Sequence, residues 1–488
     1  MANLTRDDIR TVIETIKELY LEDMIPWICG YSGGKDSTAV LQLVWYALLE
    51  LPKEKLKKTV HVISTDTLVE SPVVALWATE SLNKMAIMAD EQGLPIIPHR
   101  LTPTTTNTYW VNLIGRGYPY PRRDFRWCTD RMKIEPANQF IRGILDAESE
   151  AIMVLGSRKA ESAVRKAVLE GYEKKRYRAH LSPNGSFPNS YVFTPIENWL
   201  NDNVWQYLVQ YSNPWGHSNK DLLAMYSGAS ADGECPLVID TSTPSCGNSR
   251  FGCWVCTMVT EDKSMAAMIQ NDEEKAWMLP MLEFRNEIAA DWHTDRERRD
   301  FRKRDGRLQW YNNRLVHGPY TKETREYFLR RLLEVEQIVH EIGPEEIKNV
   351  PLITSQELAF IRQLWLDEFH EFDDSLPQIY KEVTGKQYAD GTINKNKYFG
   401  AKEAALLKQV CNEKYPDEKL LEAMQRALLD IEAKAAAISN KRNVILNFEK
   451  EIKKAFYRDE AEAEQIAASR AHRISGMMNE PHQEELID

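Results

Sequence analysis

No run of roughly eighteen apolar residues occurs in the 488-residue chain, so no segment is expected to cross a membrane as a helix. The opening MANLTRDDIR carries acidic residues and no apolar stretch, unlike a secretory signal peptide. Both absences point to a cytoplasmic protein. Internal repeats and low-complexity tracts are also missing, so neither a repeat array nor a biased linker organises the chain. Positive charge is in deficit: the net charge of −11 argues against a surface that coats nucleic acid everywhere. A local basic groove stays open, because binding depends on the field at the contact face. Cysteine is sparse, with seven residues, Cys29, Cys128, Cys235, Cys246, Cys253, Cys256 and Cys411. In a cytosolic chain these are poor disulfide candidates.

What is present is a soluble globular composition, 43% hydrophobic and 28% charged, in a chain long enough for two or three domains. The first part alternates helix and strand patterns. Helix signals cover Thr5 to Glu22 and Ser37 to Leu51, and strand signals cover 25–30, 59–63, 96–101 and 151–155. This order predicts an α/β fold with a parallel sheet and ligands at the C-terminal ends of its strands. Thr102 to Lys133 reads as a long loop rich in aromatics and arginines, and Ser218 to Thr260 shows little periodicity. From about Asp262 the pattern is helical. Leu421, Met424, Leu428, Ile431, Ala435 and Ile438 step by three and four, and Ile445 and Ile452 continue by sevens. Such a seam fits packing within its own domain or against a partner helix. The expected division is a nucleotide domain over 1–230, a cysteine-bearing segment over 231–330 and a helical region over 331–488.

The sharpest motif is Ser32-Gly33-Gly34-Lys35-Asp36-Ser37, set between a strand and a helix. Its glycines let backbone approach a phosphate, and amides at the helix start point at it. Ser32, Ser37 and Thr38 offer hydroxyls, Lys35 a cation, and Asp36 a candidate Mg2+ contact in a loop expected at the surface. It is not a Walker A loop, for Cys29 stands where the first glycine is required and Asp36 follows the lysine. The motif resembles the PP-loop of enzymes that split ATP between its α and β phosphates. In those enzymes the loop holds pyrophosphate while the substrate is adenylated. Asp66, after the second strand, matches the region near the adenosine site, and Thr67 to Ser71 resembles the nucleotide-flanking turn. Gly156-Ser-Arg-Lys-Ala-Glu-Ser162, with Arg165, resembles the G-x-R-x-x-E-S segment of sulfonucleotide reductases. That resemblance nominates Arg158 as catalytic. Pro195 to Trp199 and Val204 to Leu208 resemble a later block of the same proteins.

Cys246-x6-Cys253-x2-Cys256 has spacing that lets thiolates converge on one centre. Three readings remain open on spacing alone: an iron–sulfur cluster, a structural zinc site and inert core cysteines. The last fits Cys29 in its strand and Cys411 in its helix, and Cys235 reads as structural. Cys128 lies in Arg126-Trp-Cys-Thr-Asp-Arg-Met-Lys133 ahead of Pro136. This stretch resembles the ligand segment of adenylylsulfate reductases, which implies Cys128 as fourth ligand of a [4Fe–4S] cluster with Cys246, Cys253 and Cys256. Two departures from the reductases stand out. Trp127-Cys128 replaces their paired cysteines, and no cysteine follows Cys411 in this sequence.

The whole pattern resembles the DndC family, the PP-loop proteins of bacterial DNA phosphorothioation. The resemblance rests on the loop at 32–37, Trp127 to Asp130, and Cys246 to Cys256. It continues through Gly318 to Arg325 and Leu352 to Trp365, and it covers roughly residues 5 to 370. It implies an ATP pyrophosphatase and sulfurtransferase that exchanges a non-bridging oxygen of DNA for sulfur. The implied partners are DNA, a cysteine desulfurase as sulfur donor and companion proteins of that system. Two basic sets offer a surface for the polymer. One is Arg122, Arg123, Arg126, Arg131 and Lys133, near Tyr118 and Tyr120. The other is Arg296, Arg298, Arg299, Arg302, Lys303, Arg304 and Arg307, which fits a solvated helix face equally well. Alternatives are a sulfonucleotide reductase, a tRNA thiolase, or an ATP-sensing scaffold that binds DNA without turnover.

Overall fold

The structure is a computed structural model and describes residues 4–229, 252–389, 399–415, 419–436, 443–454 and 457–479. Two compact units emerge. The first comprises residues 1–109, 121–285 and 342–350, and the second comprises 110–120, 286–341 and 351–488.

The first unit is built on helix α1 (Arg6–Glu22), β1 (Trp27–Gly30), α2 (Lys35–Leu49), β2 (Val60–Thr65), α3 (Pro72–Gln92) and β3 (Ile96–Leu101). A short turn α4 (Trp127–Thr129), α5 (Glu135–Glu148), β4 (Ala151–Val154) and α6 (Ala163–Glu173) follow. Strands β5 (Ser182–Pro183) and β6 (Ser190–Phe193) and helices α7 (Asn201–Gln210) and α8 (Asn219–Gly228) come next. Beyond them lie α9 (Lys263–Asn271) and α10 (Leu279–Ile288). The sheet runs β3-β2-β1-β4-β6-β5, all parallel except β5 against β6. The predicted parallel α/β architecture is therefore present.

Alternation along β1 decides which layer each side chain joins. Trp27 and Cys29 enter a core with α1, α2 and α7, while Ile28 joins a second core with Ile63, Ile141 and Met153 on the opposite face. Burial on both faces explains why the strands read as continuous apolar runs. Thr5 caps α1 by accepting from the Asp8 amide at 3.1 Å, and its own amide donates to the Asp8 carboxylate at 2.9 Å. That reciprocal pair fixes the helix start at Arg6, one residue after the sequence signal. Helix α2 begins at Lys35, inside the glycine motif, rather than at Ser37.

The stretch 102–133 departs most from expectation. Tyr109, Trp110, Val111, Leu113 and Ile114 are all buried, and two π-helical turns occupy Val111–Gly115 and Asp130–Ile134. Its aromatics are core, so a loop reading from composition alone fails there. Ser218 proves to be a helix cap, accepting from the Asp221 amide at 3.2 Å at the start of α8.

The second unit is mostly helical: α11 (Trp292–Glu297), α12 (Lys322–Ile342), α13 (Ser355–Glu368), α14 (Ser375–Thr384), α15 (Ala401–Lys414), α16 (Lys419–Ala436), α17 (Val444–Lys454) and α18 (Glu460–Asn479). Two short strands, β7 (Trp310–Tyr311) and β8 (Arg314–Leu315), form its hairpin. The Trp110 indole donates to the Leu352 carbonyl at 2.7 Å, and the Trp365 indole to the Ile114 carbonyl at 3.1 Å. Ile431 of the apolar seam is buried, whereas Ile445 is 70% exposed, so the seam does not carry into α17. Ile438 lies outside the described residues. Among the described residues no helix is long and apolar enough to cross a membrane.

Candidate nucleotide site and cysteine segment

The chain leaves β1 toward β2 and β3 on one side and returns as β4 on the other. The strand order therefore reverses between β1 and β4, where open α/β sheets leave a crevice. The loop after β1 fills one lip. Gly33 adopts φ +73°, a left-handed conformation that favours glycine. The other lip is the turn after β4, and it meets the first at Gly156. A Cβ there would lie 2.9 Å from the Asp36 carbonyl carbon, so only glycine lets the lips close. Arg158, almost fully buried, donates through Nε to Asp36 at 2.6 Å and through Nη1 to the Trp199 carbonyl at 3.2 Å.

A cavity of about 540 Å³ opens between these lips. Its lining includes Ser32, Gly33, Gly34, Lys35, Asp36, Asp66 and Arg158, so most of the predicted nucleotide residues share one space. Lys35 is only 9% exposed, and its ammonium lies 3.3 Å from Asp36 and 5.2 Å from the centre of the Tyr226 ring. The expected surface lysine is thus a buried cation aimed into a cavity. Ser37 and Thr38 are not among the lining residues. Ser37 Oγ donates to the Gly34 carbonyl at 3.0 Å and takes the Ser32 amide at 3.2 Å, holding the loop in shape. Thr38 is buried beneath. Asp66 accepts from the Leu68 amide at 2.8 Å and pairs with Arg100.

Sequence reasoning missed Tyr226, Arg100 and Trp77. The Tyr226 hydroxyl accepts from the Lys35 amide at 3.4 Å, and burial pushes its pKa well above the ordinary tyrosine value. The Trp77 indole donates to the Gly33 carbonyl at 3.2 Å. Both residues stand on helices remote in sequence, in turns that look like ordinary amphipathic packing, so no local signal marks them.

The cysteine segment packs against a residue of the cavity wall. Glu70 forms an antiparallel bridge with Cys253, and the Trp254 amide donates to the Val69 carbonyl at 3.0 Å. Thr67 Oγ1 lies 3.3 Å from Cys253 Sγ, and Lys133 pairs with Glu70 at 3.4 Å. Glu70 and Lys133 both line the cavity. The turn from Cys253 to Thr260 is held by Arg285, fully buried, whose Nε donates to the Cys256 carbonyl at 2.9 Å and whose Nη1 donates to the Thr260 carbonyl at 2.9 Å. Arg285 was also missed, since it sits in the middle of α10.

Burial drives the Cys253 thiol far above its ordinary pKa and raises that of Cys128. Cys128, Cys253 and Cys256 all act electrostatically on the buried Tyr109 hydroxyl, so the three thiols share one neighbourhood. The soft donors suit a thiolate-bound metal centre in type. Among the described residues, however, no three His, Cys, Asp or Glu side chains converge closely enough to hold a metal ion. Cys246 and Cys235 lie outside the described residues. Cys29 and Cys411 are buried and free.

The first basic set belongs to this unit. Arg123 and Arg126 are exposed, Arg131 donates to Asn107 Oδ1 at 3.0 Å, and Lys133 reaches the cavity. Electrostatic attraction, chiefly from Cys253 and then Glu70, keeps the Lys133 ammonium protonated beyond its ordinary range. The second set belongs to the helical unit and is bound by that unit's own oxygens.

Residues 26–217 match the phosphoadenosine phosphosulfate reductase domain family. An uncharacterized protein of Methanocaldococcus jannaschii is 29% identical over 210 residues, which is 42% of this chain and 36% of that protein. The chain thus matches little more than a third of that curated relative's length. Among solved structures, FMN adenylyltransferase of Candida glabrata with FMN and an ATP analogue aligns at TM-score 0.26 and 15% identity, over 43% of this chain and 60% of that one. Phosphoadenylyl-sulfate reductase of Candida auris, a phosphate complex, aligns at 0.25 and 12%, over 43% and 88%. The U34-tRNA thiolase NcsA of Methanococcus maripaludis, with its [4Fe-4S] cluster, aligns at 0.28 and 14%, over 58% and 79%.

Proposed function

We propose that this reductase-like PP-loop domain hydrolyses no ATP to ADP but splits it to AMP and pyrophosphate, activating a phosphodiester of DNA for sulfur insertion. The observation that carries the reading is the adjacency of the cavity and the cysteine segment through Glu70. Glu70 and Lys133 line the nucleotide cavity, and Glu70 is bridged to Cys253. A cavity for adenylation and a thiol-bearing segment are thereby neighbours, as a sulfur transfer through an adenylated intermediate requires.

A non-bridging oxygen of the substrate phosphate attacks the α-phosphorus of ATP, and pyrophosphate leaves. Loop amides, Lys35 and the Arg158–Asp36 pair hold and orient the departing group; a Mg2+ ion, for which Asp36 would be the ligand, would neutralise part of its charge. Charge developing on the pyrophosphate is met by donors already in place, which lowers the barrier without reorganisation. A sulfide-level sulfur then attacks the activated phosphorus, and AMP departs with the oxygen. When the sulfur arrives as a persulfide, a second thiol attacks its S–S bond and is oxidised to disulfide. A [4Fe–4S] cluster on Cys128, Cys246, Cys253 and Cys256 would supply electron transfer or a sulfur-binding iron. The implied donor is a cysteine desulfurase, and companion proteins of the modification system complete the set of partners.

Mass spectrometry of nuclease-digested DNA, from cells with and without this gene, tests the reading. Sulfur-bearing dinucleotides that vanish with the gene support it. A second reading, a sulfonucleotide reductase, is favoured by the family match over residues 26–217. Release of sulfite from an adenylated sulfate, with no pyrophosphate formed from ATP, would select it.

A further inference from the structure

Helix α6 starts where the cavity lining ends. Arg158, Ala160 and Glu161 line the cavity, and Ser162 caps the helix by accepting from the Arg165 amide at 3.2 Å. Of its eleven residues only Leu169 is buried, too little apolar contact for a helix whose sole task is packing. Residues 157–178 carry eight cationic and three acidic side chains, in a chain whose net charge is −11. Several of these cations are held: Lys159 by Glu173 at 2.6 Å, Arg176 by Glu197 at 3.1 Å, and Arg178 by Asp23 and by Glu22 at 3.3 Å. Arg158 is buried against Asp36, and the remaining four face outward. Arg165 and Lys166 reach Glu161 and Glu170 only at 3.7 and 3.9 Å, and Lys174 and Lys175 are exposed. Tyr177 is 66% exposed while stacked on Tyr191 at 5.0 Å, which leaves one ring face to solvent.

We infer that α6 and the strand-ward turn after it, residues 163–177, form a polynucleotide-docking surface at the mouth of the nucleotide cavity. This rests on the reading that the substrate is a phosphodiester polymer. The cavity then has a basic segment at either rim. Lys133 ends the 122–133 stretch at one side, and Arg158 begins the 157–178 stretch at the other. A backbone laid from one to the other meets cations on both sides and presents a phosphate over the cavity between them. Regularly spaced phosphates use such a divided surface, and an open aromatic face accepts an unstacked base.

The test uses the full chain with a fluorescent DNA oligonucleotide, titrated at several salt concentrations. The triple variant Lys166→Glu, Lys174→Glu and Lys175→Glu changes only exposed side chains. Affinity should fall at least tenfold, and the slope of log K against log salt should flatten by about two to three. Pyrophosphate release from ATP without DNA, in which water attacks the α-phosphorus in place of the substrate oxygen, should be unchanged. Wild-type binding with an unaltered variant overturns the surface and leaves the proposed function standing. An unaltered variant that has lost an acidic protein in pull-down assigns the face to that partner and also overturns it. A wild-type chain that binds no DNA, yet still releases pyrophosphate, removes the polymer reading itself.

Discussion

Residues 122–133 and 296–307 look alike as sequence, each dense in arginine and interrupted by acids, yet their cations are partnered differently. In the second stretch each cation has an oxygen of its own unit. Arg296 pairs with Glu464 at 2.9 Å and with Glu460, Arg299 with Asp295 at 3.3 Å, and Arg302 with Asp300 at 2.7 Å. Arg298 donates to the Glu287 carbonyl at 2.8 Å and Lys303 to the His317 carbonyl at 3.1 Å. Arg304 meets Glu368, and Arg307 meets Asp305 at 2.5 Å. In the first stretch Arg123 and Arg126 stay exposed, and Lys133 projects into a cavity. The supply of carboxylates two to four residues away, or on a helix far along the chain, separates a stretch whose cations are held within the fold from one that leaves Arg123 and Arg126 exposed.

The largest effect tests the ligand side of that contrast. Lys35→Ala should lower conversion of ATP to AMP and pyrophosphate by at least about a hundredfold, since it removes a fixed cation from the developing charge. Circular dichroism should show the fold retained. ADP and inorganic phosphate as main products would reject the PP-loop chemistry altogether. Next, Cys128→Ser should strip most of the iron and the brown absorbance from anaerobically purified protein, as Cys253→Ser should. A Cys128 variant with a full cluster but no sulfur in DNA would make Cys128 a persulfide carrier instead of a ligand.

The two basic stretches then separate by readout. Arg123→Ala with Arg126→Ala should weaken DNA binding and reduce its salt slope by about one per lost phosphate contact, leaving the melting temperature in place. Arg296→Ala should do the reverse, costing on the order of 1–2 kcal/mol of stability, because Glu460 and Glu464 lose their shared partner, with DNA affinity unchanged. A DNA defect in the Arg296 variant, without a stability loss, would collapse the distinction.

How much of this could be seen in advance depended on whether the signal was local. The order of strands, the loop and Asp66 are legible because each is set by neighbours a few residues away: buried strand, two glycines, helix start. Gly156 was legible as a motif position, but its reason, contact with the Asp36 backbone, was not. Tyr226 and Arg285 were invisible, because their partners lie 191 and 29 residues off and nothing in their own helices marks them. Residues 102–133 misled for the opposite cause. Their crowd of aromatics and arginines reads as a loop, whereas tertiary packing buries Tyr109 and Trp110 just ahead of a π-helical turn that has no simple sequence period.

The rule that a charge persists only where a counter-charge or water supports it extends to a cation the protein gives up. His61 on β2 and His99 on β3 face each other with Nδ1 and Nε2 3.0 Å apart, and the Phe140 ring lies 4.7 Å from the His99 ring. Burial, followed by repulsion from His99, pushes the His61 pKa down from 6.5 to about 4, and burial lowers His99 as well. The folded state therefore binds fewer protons than the unfolded chain between these values. Stability from the neutral pair is fully present above pH 6.5 and is lost as pH falls toward about 4. The variant His61→Gln with His99→Gln keeps polar side chains of similar reach and removes the titration. Its melting temperature should fall less than that of the wild type across this window, a difference of a few degrees at most because the rings are only partly buried. Equal slopes would mean that both histidines titrate normally in the folded protein, and that a cation can be tolerated on this face of the sheet without a partner.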